Sequence, residues 1–110
     1  MHDKDLIDTR ELKEKLDRGD VFKVVMSLGE WEYRTTHIPG SMRVSTVQEA
    51  LEALDPADEI VLYDSGPPCP ASRMAFRILK DHGYERVRCY AGGLEAWATA
   101  GYPLEGDGVE

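Results

Sequence analysis

The stretch from Ile60 to Gly83 constrains the fold of this chain more than any other. Its first four residues, IVLY, form a short apolar run, which is the pattern of a buried β-strand. Turn-forming residues follow at positions 64–70, and helical periodicity begins near Ser72 and ends at Gly83. A strand, a tight loop and a helix in this order direct backbone N–H groups and a helix N-terminus toward one point, where an anion can be held.

The rest of the chain alternates between strands and helices. Capping-box spacings (Asp8 with Glu11, Thr46 with Glu49) mark the starts of two helices. The apolar patterns predict strands at residues 21–26, 42–45, 60–63 and 87–90. They predict helices at residues 8–18, 30–36 and 46–54, a helix from about Ser72 that stops at Gly83, and a last helix that follows the turn at residues 91–93, contains Leu94 and Trp97 and is ended by Gly101. This alternation implies right-handed crossovers and an α/β fold with a mainly parallel sheet and helices on both faces.

Ligands in such folds bind outside the carboxyl ends of the strands. The loops after Met26, Tyr63 and Tyr90 are therefore expected to share one rim.

A chain of 110 residues supports one compact domain with a modest core. We expect a single domain over residues 1–110, with its core at about 6–104 and a flexible acidic tail at 105–110.

The charge balance excludes several classes of partner. A formal net charge of −8 argues against nucleic acid and against an anionic membrane surface, because both repel it. No apolar stretch approaches the roughly 20 residues that span a bilayer, and the charged N-terminus lacks the apolar centre of a signal peptide. Two cysteines without an export signal indicate thiols in a reducing compartment, so we expect a cytoplasmic protein.

Three motifs occur in an order that is typical of one known family. The first is EWEYRTTHIPGS at residues 30–41, and the second is the strand–loop–helix unit that closes at Gly83-Tyr84. The third is YAGGLEAW at residues 90–97. Over about Leu6 to Leu104, the chain resembles a single-domain rhodanese, a persulfide-forming sulfurtransferase. The resemblance implies a five-stranded, mainly parallel sheet with helices on both faces.

The chain departs from the family pattern at two places. Family members usually place the nucleophilic cysteine directly after the central strand, where this chain has Asp64. They usually carry Asp-x-Arg after the first strand, where this chain has Met26-Ser27-Leu28. A variant within the family has a longer loop of the form Y-C-x-G-P-x-C-x-[AG]-[ST]. Residues 63–72 match this form, with Asp64 in place of the first cysteine and Cys69 as the second.

The resemblance implies a sulfane-sulfur transferase whose catalytic residue is Cys69. A persulfide carrier needs a thiolate, which backbone N–H groups, a helix N-terminus or nearby cations stabilise. The rest of the loop would bind the substrate or its anionic group: Asp64, Ser65, Gly66, Ala71, Ser72 and Arg73. The expected partner is a small sulfur donor such as thiosulfate, or a persulfide-carrying protein.

Other features of the loop oppose this chemistry. Pro67, Pro68 and Pro70 each lack a backbone N–H donor. Asp64 adds a negative charge that opposes both a thiolate and an anionic donor. The second hypothesis is therefore a catalytically inactive rhodanese-homology module that binds a protein or a small anion through the same rim.

Three further observations concern residues outside the loop. Cys89 is either a buried small hydrophobe or a resolving thiol for Cys69. His37, in the sequence His-Ile-Pro-Gly, is expected to fix a turn by hydrogen bonding. His2, Asp3 and His82 do not have the spacing of metal ligands, so we expect neither a metal site nor a cofactor.

Overall fold

The computed structural model of the protein describes residues 3–27, 29–44, 46–66 and 71–108. These residues form a parallel sheet in the order β2-β1-β3-β4. The strands are β1 (Lys23–Met26), β2 (Met42–Arg43), β3 (Ile60–Tyr63) and β4 (Val87–Tyr90). The helices are α1 (Thr9–Arg18), α2 (Glu30–Thr35), α3 (Val47–Ala53), α4 (Ala71–Asp81) and α5 (Gly93–Thr99). The predicted α/β class with a parallel sheet is confirmed.

The sheet has four strands in the described part of the chain, where the family resemblance implies five. Leu6 lies beside β4 at the edge of the sheet and makes a single parallel bridge to Cys89. The backbone N–H of Ile7 donates to the carbonyl of Cys89 at 3.0 Å. The pairing stops there because Asp8 caps α1, its side chain accepting the N–H of Glu11. The fifth position of the sheet is thus occupied by one bridge and not by a strand.

The first strand begins later than its apolar pattern predicts. Lys23 pairs with Ile60, the first residue of β3, so no neighbouring strand is available to pair with Val21. The side chain of Val21 is 97% exposed. The predicted start at residue 21 was wrong because apolar character does not show where the partner strand begins.

Alternate residues along the strands face opposite sides of the sheet, and each side has its own core. One core packs against α1 and α5 and includes Leu12, Val24, Met26, Val61, Tyr63 and Trp97. The other core packs against α3 and α4 and includes Val25, Ala50, Leu54, Leu62, Leu79 and Val87. Helices therefore cover both faces of the sheet, as the alternation of elements predicts.

The segment after α2 is held against the end of β3. The buried hydroxyl of Tyr63 accepts the N–H of Ile38 at 3.1 Å and lies 2.8 Å from Oγ of Ser41. Burial raises the pKa of Tyr63 to about 12. His37 stacks on the ring of Tyr33, and its Nδ1 lies 2.7 Å from the Tyr33 carbonyl oxygen. His37 therefore contacts the last turn of α2, whereas the turn after it is closed by a backbone hydrogen bond from Ser41 to Ile38.

Residues 105–108, which we expected to belong to a flexible tail, contact α2 and the residues that follow it. Glu105 and His37 exchange two backbone hydrogen bonds of 2.8 and 2.9 Å. The N–H groups of Asp107 and Gly108 donate to carbonyls in the last turn of α2.

Among the described residues, none of the helices combines the length and the apolar character that crossing a bilayer requires.

Candidate functional site

The loop after β3 lies at the carboxyl edge of the sheet and leads into α4. Residues 64–66 and the helix from Ala71 onward are described. Cys69, the predicted nucleophile, lies outside the described residues, as do Pro67, Pro68 and Pro70. The site is therefore defined by the groups on either side of that segment.

Asp64 joins the two sides of the loop. Its side chain is buried, with the residue only 1% exposed. One carboxylate oxygen accepts the N–H of Gly66 at 3.2 Å, and the other accepts the N–H of Ser72 at 2.9 Å. Ser72 lies in the first turn of α4, where unpaired N–H groups favour a negative charge. The carboxylate thus uses two of the backbone donors that an anion in this loop would otherwise contact.

The first turn of α5 holds the same loop from the other side. The N–H of Leu94 donates to the carbonyl of Asp64 at 3.0 Å, and the N–H of Glu95 donates to the carbonyl of Ser65 at 2.9 Å. Gly93 has a φ of 60°, and a Cβ atom there would lie 2.4 Å from the Asp64 carbonyl oxygen. Only glycine fits this close approach of helix and loop.

Glu95 brings a second carboxylate to the loop, and the sequence pattern did not single it out. A Cβ atom on Gly66 would lie 2.8 Å from Oε2 of Glu95. The carboxylates of Asp64 and Glu95 thus both lie close to Gly66. Ser65 is exposed, and Arg73 is exposed in the first turn of α4. The two acidic groups oppose the binding of anions at this end of the loop.

Cys89 lies on β4 beneath the start of α4. Its side chain is buried, and its Sγ donates to the carbonyl of Ser72 at 3.4 Å. Burial raises the pKa of the Cys89 thiol to about 12. A buried neutral thiol fits the interpretation of Cys89 as a small hydrophobe and does not fit that of a resolving thiol.

The residues at the position of the family's Asp-x-Arg, Met26-Ser27-Leu28, have uncharged side chains. Met26 is buried in the core under α1 and α5. The Oγ of Ser27 is buried and has no hydrogen-bond partner among the described residues. Leu28 lies outside those residues.

An apolar cavity of about 240 Å³ opens at the same edge of the sheet, beside the loop. It lies between α3 and α4, and its lining includes Ser27, Val44, Val47, Ala71 and Met74. The sequence did not predict this cavity, because its walls come from segments that are far apart along the chain.

Comparisons with known proteins agree with this architecture. A family profile described as "Rhodanese-like domain" matches residues 1–100. The HTH-type transcriptional regulator Rv0324 of Mycobacterium tuberculosis is 35% identical over 103 residues, which are 92% of this chain and 45% of that protein. The chain therefore spans about half the length of this curated relative.

Solved structures give the same result. The rhodanese-like domain of the Alr3790 protein from Anabaena sp. superposes with a TM-score of 0.86 at 28% identity, covering 98% of this chain and 82% of that one. A thiosulfate sulfurtransferase from Pseudomonas aeruginosa shares the fold, with a TM-score of 0.78 at 24% identity over 91% of this chain and 20% of that one. From the profile match, the relative and the shared fold, we conclude that this chain belongs to the rhodanese-like domain family.

Proposed function

We propose that this domain transfers sulfane sulfur through a persulfide on Cys69, and that Asp64 braces the loop. The supporting observation is the pair of hydrogen bonds from Gly66 and Ser72 to the Asp64 carboxylate. These bonds join the two flanks of the segment that contains Cys69. A buried carboxylate with both oxygens satisfied is a feature of an organised loop and argues against decay of the site.

Cys69 is the better candidate of the two cysteines. Cys89 is buried and its thiol pKa is raised, so it is a poor nucleophile. Cys69 precedes α4, a helix of 11 residues, by two positions. The positive end of the helix dipole and the nearby Arg73 would favour a thiolate there.

The proposed reaction has two steps. The Cys69 thiolate attacks the outer sulfur of thiosulfate, the S–S bond of the donor breaks, and its electron pair leaves with sulfite. Cys69 then holds a persulfide, from which an acceptor such as cyanide takes the outer sulfur and restores the thiolate. A persulfide-carrying protein is the alternative donor. We place this chemistry in a reducing, cytoplasmic setting, because Cys69 must remain a free thiol.

The second candidate function is a catalytically inactive module that binds a protein or a small anion through the same rim. The carboxylates of Asp64 and Glu95 favour an inactive module, because both lie at the loop where an anionic sulfur would form. Of its two possible partners they favour a protein, since they oppose a small anion as well. The M. tuberculosis relative is named as a transcriptional regulator. Under this hypothesis, we propose a regulatory use of the domain within a longer protein.

Thiocyanate formation from thiosulfate and cyanide distinguishes the two functions. We expect the wild-type protein to form thiocyanate, Cys69→Ser to fall to background, and Cys89→Ala to keep the activity. The intact mass of the wild type should increase by one sulfur atom after exposure to the donor, and peptide mapping should place it on Cys69. Background thiocyanate and an unchanged mass in the wild type would refute the catalytic proposal and leave the binding module.

A further inference from the structure

Apolar side chains of α3 and α4 remain exposed on the outside of the domain. Val47 and Leu51 are exposed one turn apart on α3, and Met74 on α4 is 62% exposed. Val47 and Met74 also line the cavity between the two helices, so the apolar surface continues from the cavity to the exterior. We refer to these three side chains and the opening of the cavity as the α3–α4 face. Contiguous apolar surface of this kind is typical of a place that another molecule covers.

The charges on the two sides of the α3–α4 face are separated by sign. Residues 44–59, which include α3, contain acidic side chains and neither lysine nor arginine. Residues 71–80 of α4 contain arginine and lysine and no acidic residue, although the net charge of the chain is −8. Glu52 and Arg77 are exposed. Because an α-helix turns about 100° per residue, Glu52 lies beside Leu51 and Arg77 beside Met74, each on the side away from the cavity.

A surface with this arrangement is complementary to a second copy of itself. In a two-fold dimer, both copies contribute the same surface. A two-fold axis that runs along the cavity places α3 of each copy against α4 of the other. The acidic side of α3 then meets the basic side of α4 twice, and the exposed apolar side chains of both copies pack between these charges.

The charges at Glu52 and Arg77 are available for such a contact. Glu52 accepts a hydrogen bond from Gln48, one turn earlier on α3, at 3.3 Å. Neither Glu52 nor Arg77 forms an ion pair with another residue in the described part of the chain. A small apolar ligand in the cavity would leave both charges without a partner, whereas a second copy covers the apolar surface and pairs the charges.

We propose that this protein forms a two-fold dimer through the α3–α4 face, with Glu52 of each copy opposite Arg77 of the other. The face is built from two helices of 7 and 11 residues, so the buried area is small and the dimer is transient. The contact involves residues of α3 and α4 alone and is independent of the proposed sulfur transfer.

Self-association is measured by analytical ultracentrifugation of the whole chain under reducing conditions, so that no disulfide joins two copies. We expect a monomer–dimer equilibrium with a dissociation constant between about 1 µM and about 1 mM, the range of a transient contact. Protein that is entirely monomeric at about 1 mM would overturn the proposal. Association beyond the dimer would overturn it as well, because a two-fold contact is closed.

Two variants with the same added charge locate the contact. Met74→Lys, in the centre of the α3–α4 face, should weaken dimerisation at least about tenfold, because the contact would bury an ammonium group where a thioether packs. Trp31→Lys is the matched control, since Trp31 is 75% exposed on α2, whose Tyr33 packs against the core on the other side of the sheet. It should dimerise as the wild type does. Equal weakening in both variants, or none in Met74→Lys, would place the contact elsewhere and refute the proposal.

Charge reversal tests whether α3 faces α4 across the dimer. Glu52→Arg and Arg77→Glu each place like charges opposite one another, so either variant alone should dimerise at least about tenfold more weakly than the wild type. In a mixture of the two variants, the heterodimer has opposite charges at both contacts, and its association should return close to that of the wild type. Both variants keep a net negative charge, so attraction between oppositely charged proteins does not explain such a recovery. A mixture that associates no better than its components would refute the pairing of Glu52 with Arg77 and the proposed dimer.

Discussion

The backbone N–H of Ser72, in the first turn of α4, donates to the carboxylate of Asp64, at the end of β3, across 2.9 Å. The other oxygen of that carboxylate accepts from Gly66. One side chain at the usual position of the family's nucleophile thus joins the strand, the loop and the helix. The contribution of the Asp64 side chain to the free energy of unfolding and its effect on sulfur transfer can be measured separately.

Removing the carboxylate should destabilise the domain. Asp64→Ala leaves the buried N–H groups of Gly66 and Ser72 without an acceptor, so we expect the free energy of unfolding to fall by roughly 2–4 kcal/mol. Urea denaturation at neutral pH provides the measurement. Asp81→Ala, which removes an exposed carboxylate at the end of α4, should change it by less than about 0.5 kcal/mol. A loss of equal size in both variants would contradict the bracing role of Asp64.

Replacing the carboxylate by a thiol should create activity at this position. In Asp64→Cys, the N–H groups of Gly66 and Ser72 can stabilise a thiolate in place of the carboxylate. We expect thiocyanate formation to rise at least about tenfold over wild type, since a single such donor contributes ~10²-fold or more to stabilising a negative charge. Asp64→Ser is the control without a thiol. Equal rates for the cysteine and serine variants would show that the loop no longer supports the family's usual nucleophile.

Adding a methyl group to Gly93 should disturb the contact between loop and helix. The new Cβ of Gly93→Ala would collide with the carbonyl of Asp64 and with the backbone of Gly66. Gly83→Ala is the matched control, because Gly83 also has a positive φ but no atom within 4 Å of an added Cβ. We expect Gly83→Ala to cost about 1 kcal/mol from the backbone alone and Gly93→Ala at least about twice as much. Only Gly93→Ala should also reduce thiocyanate formation.

Alkaline pH should destabilise the domain, because the buried Cys89 thiol and Tyr63 phenol ionise less readily in the folded state than in the unfolded state. The pKa of Cys89 rises from 9.0 to about 12, and that of Tyr63 rises from 10.0 to about 12, both because of burial. Above their ordinary pKa values the unfolded chain releases these protons while the folded chain retains them, so stability falls as pH rises from about 9 to about 12. Urea midpoints across this range should decrease, and Cys89→Ala should flatten the decrease. An unchanged slope in Cys89→Ala would contradict the assignment.

The two strands β3 and β4 could be predicted from the sequence because each coincides with an apolar run. The strands β3 and β4 have the predicted bounds, since each is a short run of buried residues in a parallel sheet. The edges were not predictable in the same way. Where β1 begins depends on its pairing with Ile60, and the bridge of Leu6 to Cys89 depends on where α1 starts.

The sequence indicated the loop and the unusual Asp64, but not what its carboxylate does. That depends on Ser72, eight positions further along, and on the first turn of α5. The contribution of Glu95 and the cavity beside Ala71 likewise arise from contacts between distant segments. No local pattern marks such contacts, because their partners meet only after the sheet and helices have packed.

The pairing of the loop with α5 has a consequence for exchanging active sites within the family. The peptide carbonyls of Asp64 and Ser65 fit the N–H groups of Leu94 and Glu95, and Gly93 leaves just enough room between them. A loop grafted alone would have to place two carbonyls at the same positions, or the N–H groups of Leu94 and Glu95 would lose their acceptors. The smallest transplantable unit is therefore the loop together with the first turn of α5, although α4 and β4 lie between them in the chain.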